Sequence, residues 1–271
     1  MPVLSHGGLE IEYGDAGEGP AVVLVHCSVS GIRQWRSLTE LLADRYGVRA
    51  LHLYGYGATT PWPGRETQTL EAQARLVVAA CDGLAEPVSL VGHSFGGTVA
   101  LKAATLLGAR VGGMVLIEPN PMHLLAQHGR DGEYAEVCAL RDHVKHFGAR
   151  GDWEAVAERF ADYWVGDGTW NEMPAERRAA FAALLPPNFH EWDAAMGERT
   201  TVADLAGIEC RTLVMSDPAT RRPIRAIAEI LAEARPDWTF RDIPAGGHMA
   251  PVTRPDLVNP MIREFLDADL A

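Results

Sequence analysis

Apolar residues along this chain fall into short unbroken runs set between stretches of helical period. Residues 9–15 alternate apolar and acidic side chains (Leu9-Glu10-Ile11-Glu12-Tyr13), the period-two signature of a half-exposed strand. Gly14, Gly17, Gly19 and Pro20 then make a turn. Residues 21–26 are continuously apolar and β-branched, as a strand buried on both faces must be. The same pattern predicts strands at 48–53, 88–91, 113–117, 212–215 and 239–243. Helical spacing predicts helices over 35–44, 69–81, 223–234 and 255–266. Strands alternating with helices in this way imply an α/β fold, a mostly parallel doubly wound sheet with helices on both faces.

The alternation breaks between residues 120 and 205. This stretch holds Trp153, Trp164, Trp170 and Trp192, four of the seven tryptophans, together with Phe147, Phe160, Phe181 and Phe189. Its segments 134–147, 153–164 and 175–185 have helical period, and none reads as a buried strand. The expected organisation is therefore a core made of residues 1–119 and 206–271, with an inserted helical cap over 120–205. Most of the aromatics are expected to be the cap's own core, with Trp164 and Phe189 as candidates for lining a pocket.

Composition narrows the setting. A formal charge of −12 argues against nucleic acid or an anionic membrane as a partner. Cys27, Cys81, Cys138 and Cys210 are scattered, with no Cys-x-x-Cys pair, which fits a reducing compartment and gives no zinc ligand set. Neither a signal peptide nor a transmembrane stretch is apparent, so a cytoplasmic location is expected. Oligomeric state is not readable from these features.

The chemistry gathers at Gly92-His93-Ser94-Phe95-Gly96, which follows the run 88–91 and opens a small-residue helical pattern through Thr98–Ala104. In that strand–turn–helix context Gly-x-Ser-x-Gly is a nucleophile elbow, with the Ser94 hydroxyl held out from the sheet edge. Side chains at Gly92 or Gly96 would collide with the neighbouring strand or helix. A serine hydroxyl needs an adjacent base, and ten histidines are available. His248 lies in the glycine-rich turn Gly246-Gly247-His248 between a strand and a helix, where open α/β sheets place their sites. His143 and His146 fall on a cap helix without a third metal ligand, His6 lies at the N-terminal edge and His190 beside a Pro-Pro turn. An oxyanion hole needs two backbone donors; the expected ones are the amides of Phe95 and Ser28. Cys27 reads as a packing residue rather than a reactive thiol.

With these residues in place, nearly the whole chain resembles the α/β-hydrolase superfamily. The matching features are the His26 loop, the turn Leu53-Tyr54-Gly55-Tyr56-Gly57, the elbow, the strand end Leu116-Ile117-Glu118-Pro119 and the Gly246-Gly247-His248 turn. Two departures stand out. Cys27 replaces the glycine of the family's common His-Gly pair, and no carboxylate stands at the usual acid position near Ala219 or Thr220. Some members carry the acid after the sixth strand, where this chain has Glu118; Asp217 is the alternative acid. The resemblance implies a serine hydrolase of the carboxylesterase or lactonase type, acting through an acyl-enzyme on Ser94 with no metal or organic cofactor. Serine at the elbow argues against haloalkane dehalogenase and epoxide hydrolase chemistry. A carbon–carbon bond hydrolase of a ring-cleavage pathway and a non-catalytic small-ligand receptor are the alternatives.

Overall fold

The structure is a computed structural model that describes residues 1–268. Its strands are β1 (Val3–His6), β2 (Leu9–Ala16), β3 (Ala21–Val25), β4 (Gly47–Leu51), β5 (Val88–His93), β6 (Val111–Ile117), β7 (Arg211–Ser216) and β8 (Thr239–Asp242). Helices α1 (Arg36–Leu42), α2 (Leu70–Cys81) and α3 (Phe95–Leu107) precede β6. Between β6 and β7 run α4 (His123–Gln127), α5 (Asp131–Gly148), α6 (Trp153–Trp164), α7 (Thr169–Glu172), α8 (Ala175–Ala182) and α9 (Pro186–Gly197). Three follow β7: α10 (Arg222–Ala234), α11 (Ala250–Thr253) and α12 (Pro255–Asp267).

The strands form one sheet in the order β1-β2-β4-β3-β5-β6-β7-β8. The β1/β2 and β2/β4 pairs are antiparallel and the other five parallel. All five residues of β3 are buried because both sheet faces are covered. Val23 and Val25 join the apolar layer that includes residues of α2, α3 and α10, and Val22 and Leu24 join the layer of α1 and α12. Burying each such side chain contributes about 1.5–3 kcal/mol, which fixes the central strands and hence the loops at their ends.

The sequence pattern anticipates seven of these eight strands to within two residues at each end. β1 is missed: its four residues are mostly exposed, so no burial pattern marks it. The helices between β6 and β7 include α9, which sequence reading leaves as a Pro-Pro turn. Pro186 and Pro187 occupy its first turn, where a helix has no use for their missing amide hydrogens. Among the described residues no helix is long and apolar enough to cross a membrane.

Candidate active site

The turn from β5 into α3 brings strand, turn and helix backbones very close together. A Cβ on Gly96 would lie 2.3 Å from the carbonyl oxygens of both Val25 and His26, and one on Gly92 would lie 2.4 Å from that of Gly96. Only glycine allows strand, turn and helix to meet so tightly. Ser94, between them, takes φ 54° and ψ −122° and precedes α3 without capping it through its side chain. Its amide bonds the Ile117 carbonyl at 2.9 Å, which ties the turn to the end of β6.

Ser94, His248 and Glu118 converge. Ser94 Oγ lies 2.9 Å from His248 Nε2, and His248 Nδ1 lies 3.1 Å from Glu118 Oε2. With the Nδ1 proton donated to Glu118, Nε2 is the acceptor for the serine hydroxyl. All three residues are buried, Glu118 completely. The Glu118 carboxylate accepts two further hydrogen bonds, from the Asp217 amide at 2.6 Å and from the Thr220 hydroxyl, so its orientation is over-determined. Its backbone stands at φ 48°, with its amide bonded to the Met215 carbonyl of β7 at 2.8 Å.

Asp217, the alternative acid, does not bond the imidazole. Its Oδ2 accepts the Gly247 amide and its Oδ1 the Ala219 amide, both at 2.7 Å. It thereby holds the His248 turn from outside. The turn is also held by His93, whose Nε2 donates to the His248 carbonyl at 2.8 Å while its Nδ1 accepts from Gln34 Nε2 at 3.0 Å. Burial first, then the neighbouring His248, lowers the His93 pKa to about 3, and its bond to the His248 carbonyl works the other way. His93 therefore stays neutral in the tautomer these bonds require.

Ser28 and Phe95 both line the pocket that exposes Ser94. The Phe95 amide is the first of α3 and thus one of the donors that a helix cannot satisfy internally. The loop carrying Ser28 is shaped on two sides. His26 Nδ1 donates to the Cys27 carbonyl at 2.7 Å and its Nε2 accepts the Leu53 amide at 3.1 Å. Val29, at φ 55°, donates its amide to the Tyr56 hydroxyl at 2.9 Å. Cys27 is buried and its thiol is pushed up to about 12, chiefly by desolvation, which suits packing rather than nucleophilic chemistry.

Three more neighbours complete the site: Trp164 was expected there from the sequence, and Asn120 and Glu191 were not. Asn120 Nδ2 donates to Ser94 Oγ at 3.2 Å, and its Oδ1 is held by the Thr98 hydroxyl at 2.9 Å. Because Oγ accepts from Asn120, the serine's own proton is directed at His248. Trp164 stacks on the His248 ring at 4.2 Å between centroids and 28° between planes. Glu191 is 1% exposed and lines the same pocket. The signal for Asn120 and Glu191 is three-dimensional: they stand 26 and 97 positions from Ser94.

The pocket at Ser94 lies between the sheet and the helices that follow β6. Phe160, Trp164 and Trp192 form its aromatic wall. Phe189, the other aromatic expected there, does not line it. Its ring lies under the Lys145 ammonium, 3.8 Å from the centroid. Among the described residues no group of three or more His, Cys, Asp or Glu side chains could hold a metal ion.

The comparisons with known proteins agree with this architecture. A family model described as the alpha/beta hydrolase family matches residues 22–261. The chain is similar to 2-hydroxy-6-oxo-6-(2'-aminophenyl)hexa-2,4-dienoic acid hydrolase of Metapseudomonas resinovorans. That match is 31% identical over 114 residues and covers 41% of this chain and only 39% of that enzyme. It is also similar to 2-hydroxy-6-oxo-2,4-heptadienoate hydrolase of Pseudomonas putida, 28% identical over 216 residues, covering 77% of this chain and 75% of that one. Among solved structures, a thermophilic esterase from Thermogutta terrifontis, malate bound, superposes with a TM-score of 0.75 at 26% identity, covering 98% of this chain and 96% of the esterase. With the family match running from β3 into α12, the chain belongs to the alpha/beta hydrolase family.

Proposed function

We propose that this hydrolase cleaves a small-molecule ester or lactone through an acyl-enzyme on Ser94. The observation that carries the reading is the continuous chain Ser94 Oγ, His248, Glu118, with separations of 2.9 and 3.1 Å. His248 Nε2 takes the serine proton as Oγ attacks the carbonyl carbon, and Glu118 holds the tautomer and stabilises the imidazolium that forms. The amides of Phe95 and Ser28 receive the negative charge that develops on the carbonyl oxygen. His248 then gives its proton to the leaving oxygen. Water, deprotonated by the same imidazole, cleaves the acyl-serine ester and releases the acid. In this reading the helices after β6 are a cap, and Trp164 shields the imidazole from solvent.

A second reading has its own support. Two curated relatives are named as hydrolases of 2-hydroxy-6-oxo-dienoates, substrates whose hydrolysis breaks a carbon–carbon bond. One experiment separates the readings: turnover of nitrophenyl esters of graded acyl length, of lactones and of vinylogous diketones, with fluorophosphonate labelling alongside. Ester or lactone turnover should dominate, label should map to Ser94, and Ser94→Ala should abolish both. Dominant diketone turnover would favour the second reading, and full activity in Ser94→Ala would end both.

A further inference from the structure

The chemistry above leaves a buried carboxyl group in the pocket unused. Glu191, on α9, is 1% exposed, and its Oε1 has no hydrogen-bond partner. Its Oε2 accepts from Asn188 Nδ2 at 2.9 Å. The Asn188 amide is oriented unambiguously, because its Oδ1 accepts from Trp192 Nε1 at 3.0 Å. The hydroxyls of Tyr56 and Ser28 also face the carboxyl. Tyr56 already accepts the Val29 amide, so its own proton is free to point at Glu191. Burial raises the Glu191 pKa, and the groups turned toward the carboxyl oppose that shift, since Ser28, Asn188 and Tyr56 are all donors that favour the anion. Yet no arginine or lysine acts on it. A buried carboxylate without a cation is costly and is normally paired. Around it stand Phe160, Trp164 and Trp192, whose ring faces attract cations, in a chain whose formal charge is −12.

We propose that the missing counter-charge is on the substrate: the pocket takes an ester or lactone bearing an ammonium group, whose N–H is received by Glu191 Oε1 while the carbonyl is presented to Ser94. The inference rests on the serine-hydrolase reading of the site. It makes Glu191 a specificity-determining residue rather than a participant in bond cleavage.

The test uses two acetates of the same shape. 2-(Dimethylamino)ethyl acetate carries N–H⁺ at neutral pH where 3-methylbutyl acetate carries C–H. The wild-type kcat/KM should favour the ammonium ester by at least tenfold, and Glu191→Gln should cut that ratio by at least tenfold. Ratios within threefold of unity, or a ratio unmoved in Glu191→Gln, would overturn the inference. So would preference for an ester bearing a carboxylate, since that would require Glu191 to hold a proton. A second arm is calorimetric titration of Ser94→Ala, which removes the chemistry. This variant should bind the ammonium ester at least tenfold more tightly than its carbon isostere, and Ser94→Ala with Glu191→Gln should not. If neither ester is turned over but this preference holds, the hydrolase reading has failed and the recognition stands. Equal binding of the two esters, or none, defeats the recognition itself. Should Glu191→Gln not fold, the wild-type ratio and the Ser94→Ala titration decide alone.

Discussion

Val29, Ser94 and Glu118 are the non-glycine residues with positive φ among those described, and all three stand at the pocket or on the loops that shape it. Such conformations cost about 1–3 kcal/mol each and persist only where the surroundings over-determine them. Glu118 shows how: its amide donates to the Met215 carbonyl, its Oε1 accepts the Asp217 amide, and its Oε2 accepts from Thr220 and His248. Glu118→Gln should therefore fold normally yet lose about 10⁴ in turnover, the scale for losing an acid in this role. Asp217→Asn should lose less than tenfold, since Asp217 bonds Gly247 and not the ring. Steady-state kinetics with circular dichroism would check both, and the reverse ranking would transfer the role to Asp217. That Ser94, His248 and Glu118 would meet was anticipated, for Ser94 and His248 from their glycine-rich turns and for Glu118 from the family resemblance. Thr220 and Asn120 were not, because nothing in their neighbours reveals that they meet Glu118 and Ser94.

At the scale of elements, tryptophans look alike in a helical pattern and differ by the face they present. Trp164, at the end of α6, lies on His248, with its indole N–H unpartnered. Trp170, on α7, is buried in the same apolar layer as Val23 and Val25, with the Arg178 guanidinium over its ring at 5.5 Å. Trp164→Ala should redistribute kcat/KM across esters of graded chain length. Trp170→Ala should leave that distribution alone and cost about 3–5 kcal/mol of stability, as loss of a packed aromatic does. Denaturant titration beside the ester panel would read both. The end of α6 is fastened to the site from below: Arg221, next to Thr220, donates to the carbonyls of Tyr163 at 2.6 Å and Asp162 at 3.2 Å. The central strands were readable because burial on two faces leaves a continuous apolar run. α4 and α7 are too short to show a period, and α9 hides behind its prolines.

For the whole molecule, buried neutral histidines set the response to acid. His26 and His93 are both lowered to about 3, burial being the first cause, from an ordinary 6.5. Above pH 6.5 neither state is protonated there and their stability is fully present. As pH falls toward 3, the unfolded chain binds protons that the folded chain refuses, at about 1.4 kcal/mol per pH unit for each group. The denaturant midpoint should fall between pH 7 and pH 5, and His93→Asn should flatten that slope by one proton. An unchanged slope in His93→Asn would contradict the assignment.

One helix has a different consequence. α8 has no buried residue, and Arg177 lies exposed on it. Dividing the chain after Arg177 would leave pieces 1–177 and 178–271. The first keeps Ser94 and Glu118, and the second keeps His248 together with β7 and β8. Parallel pairing of β6 with β7, from Gly113↔Arg211 to Ile117↔Met215, runs between them. Expressed as two separate fragments, each half should be silent, and turnover in the mixture would report that β6 and β7 had paired again; no turnover from folded, associated halves would contradict this.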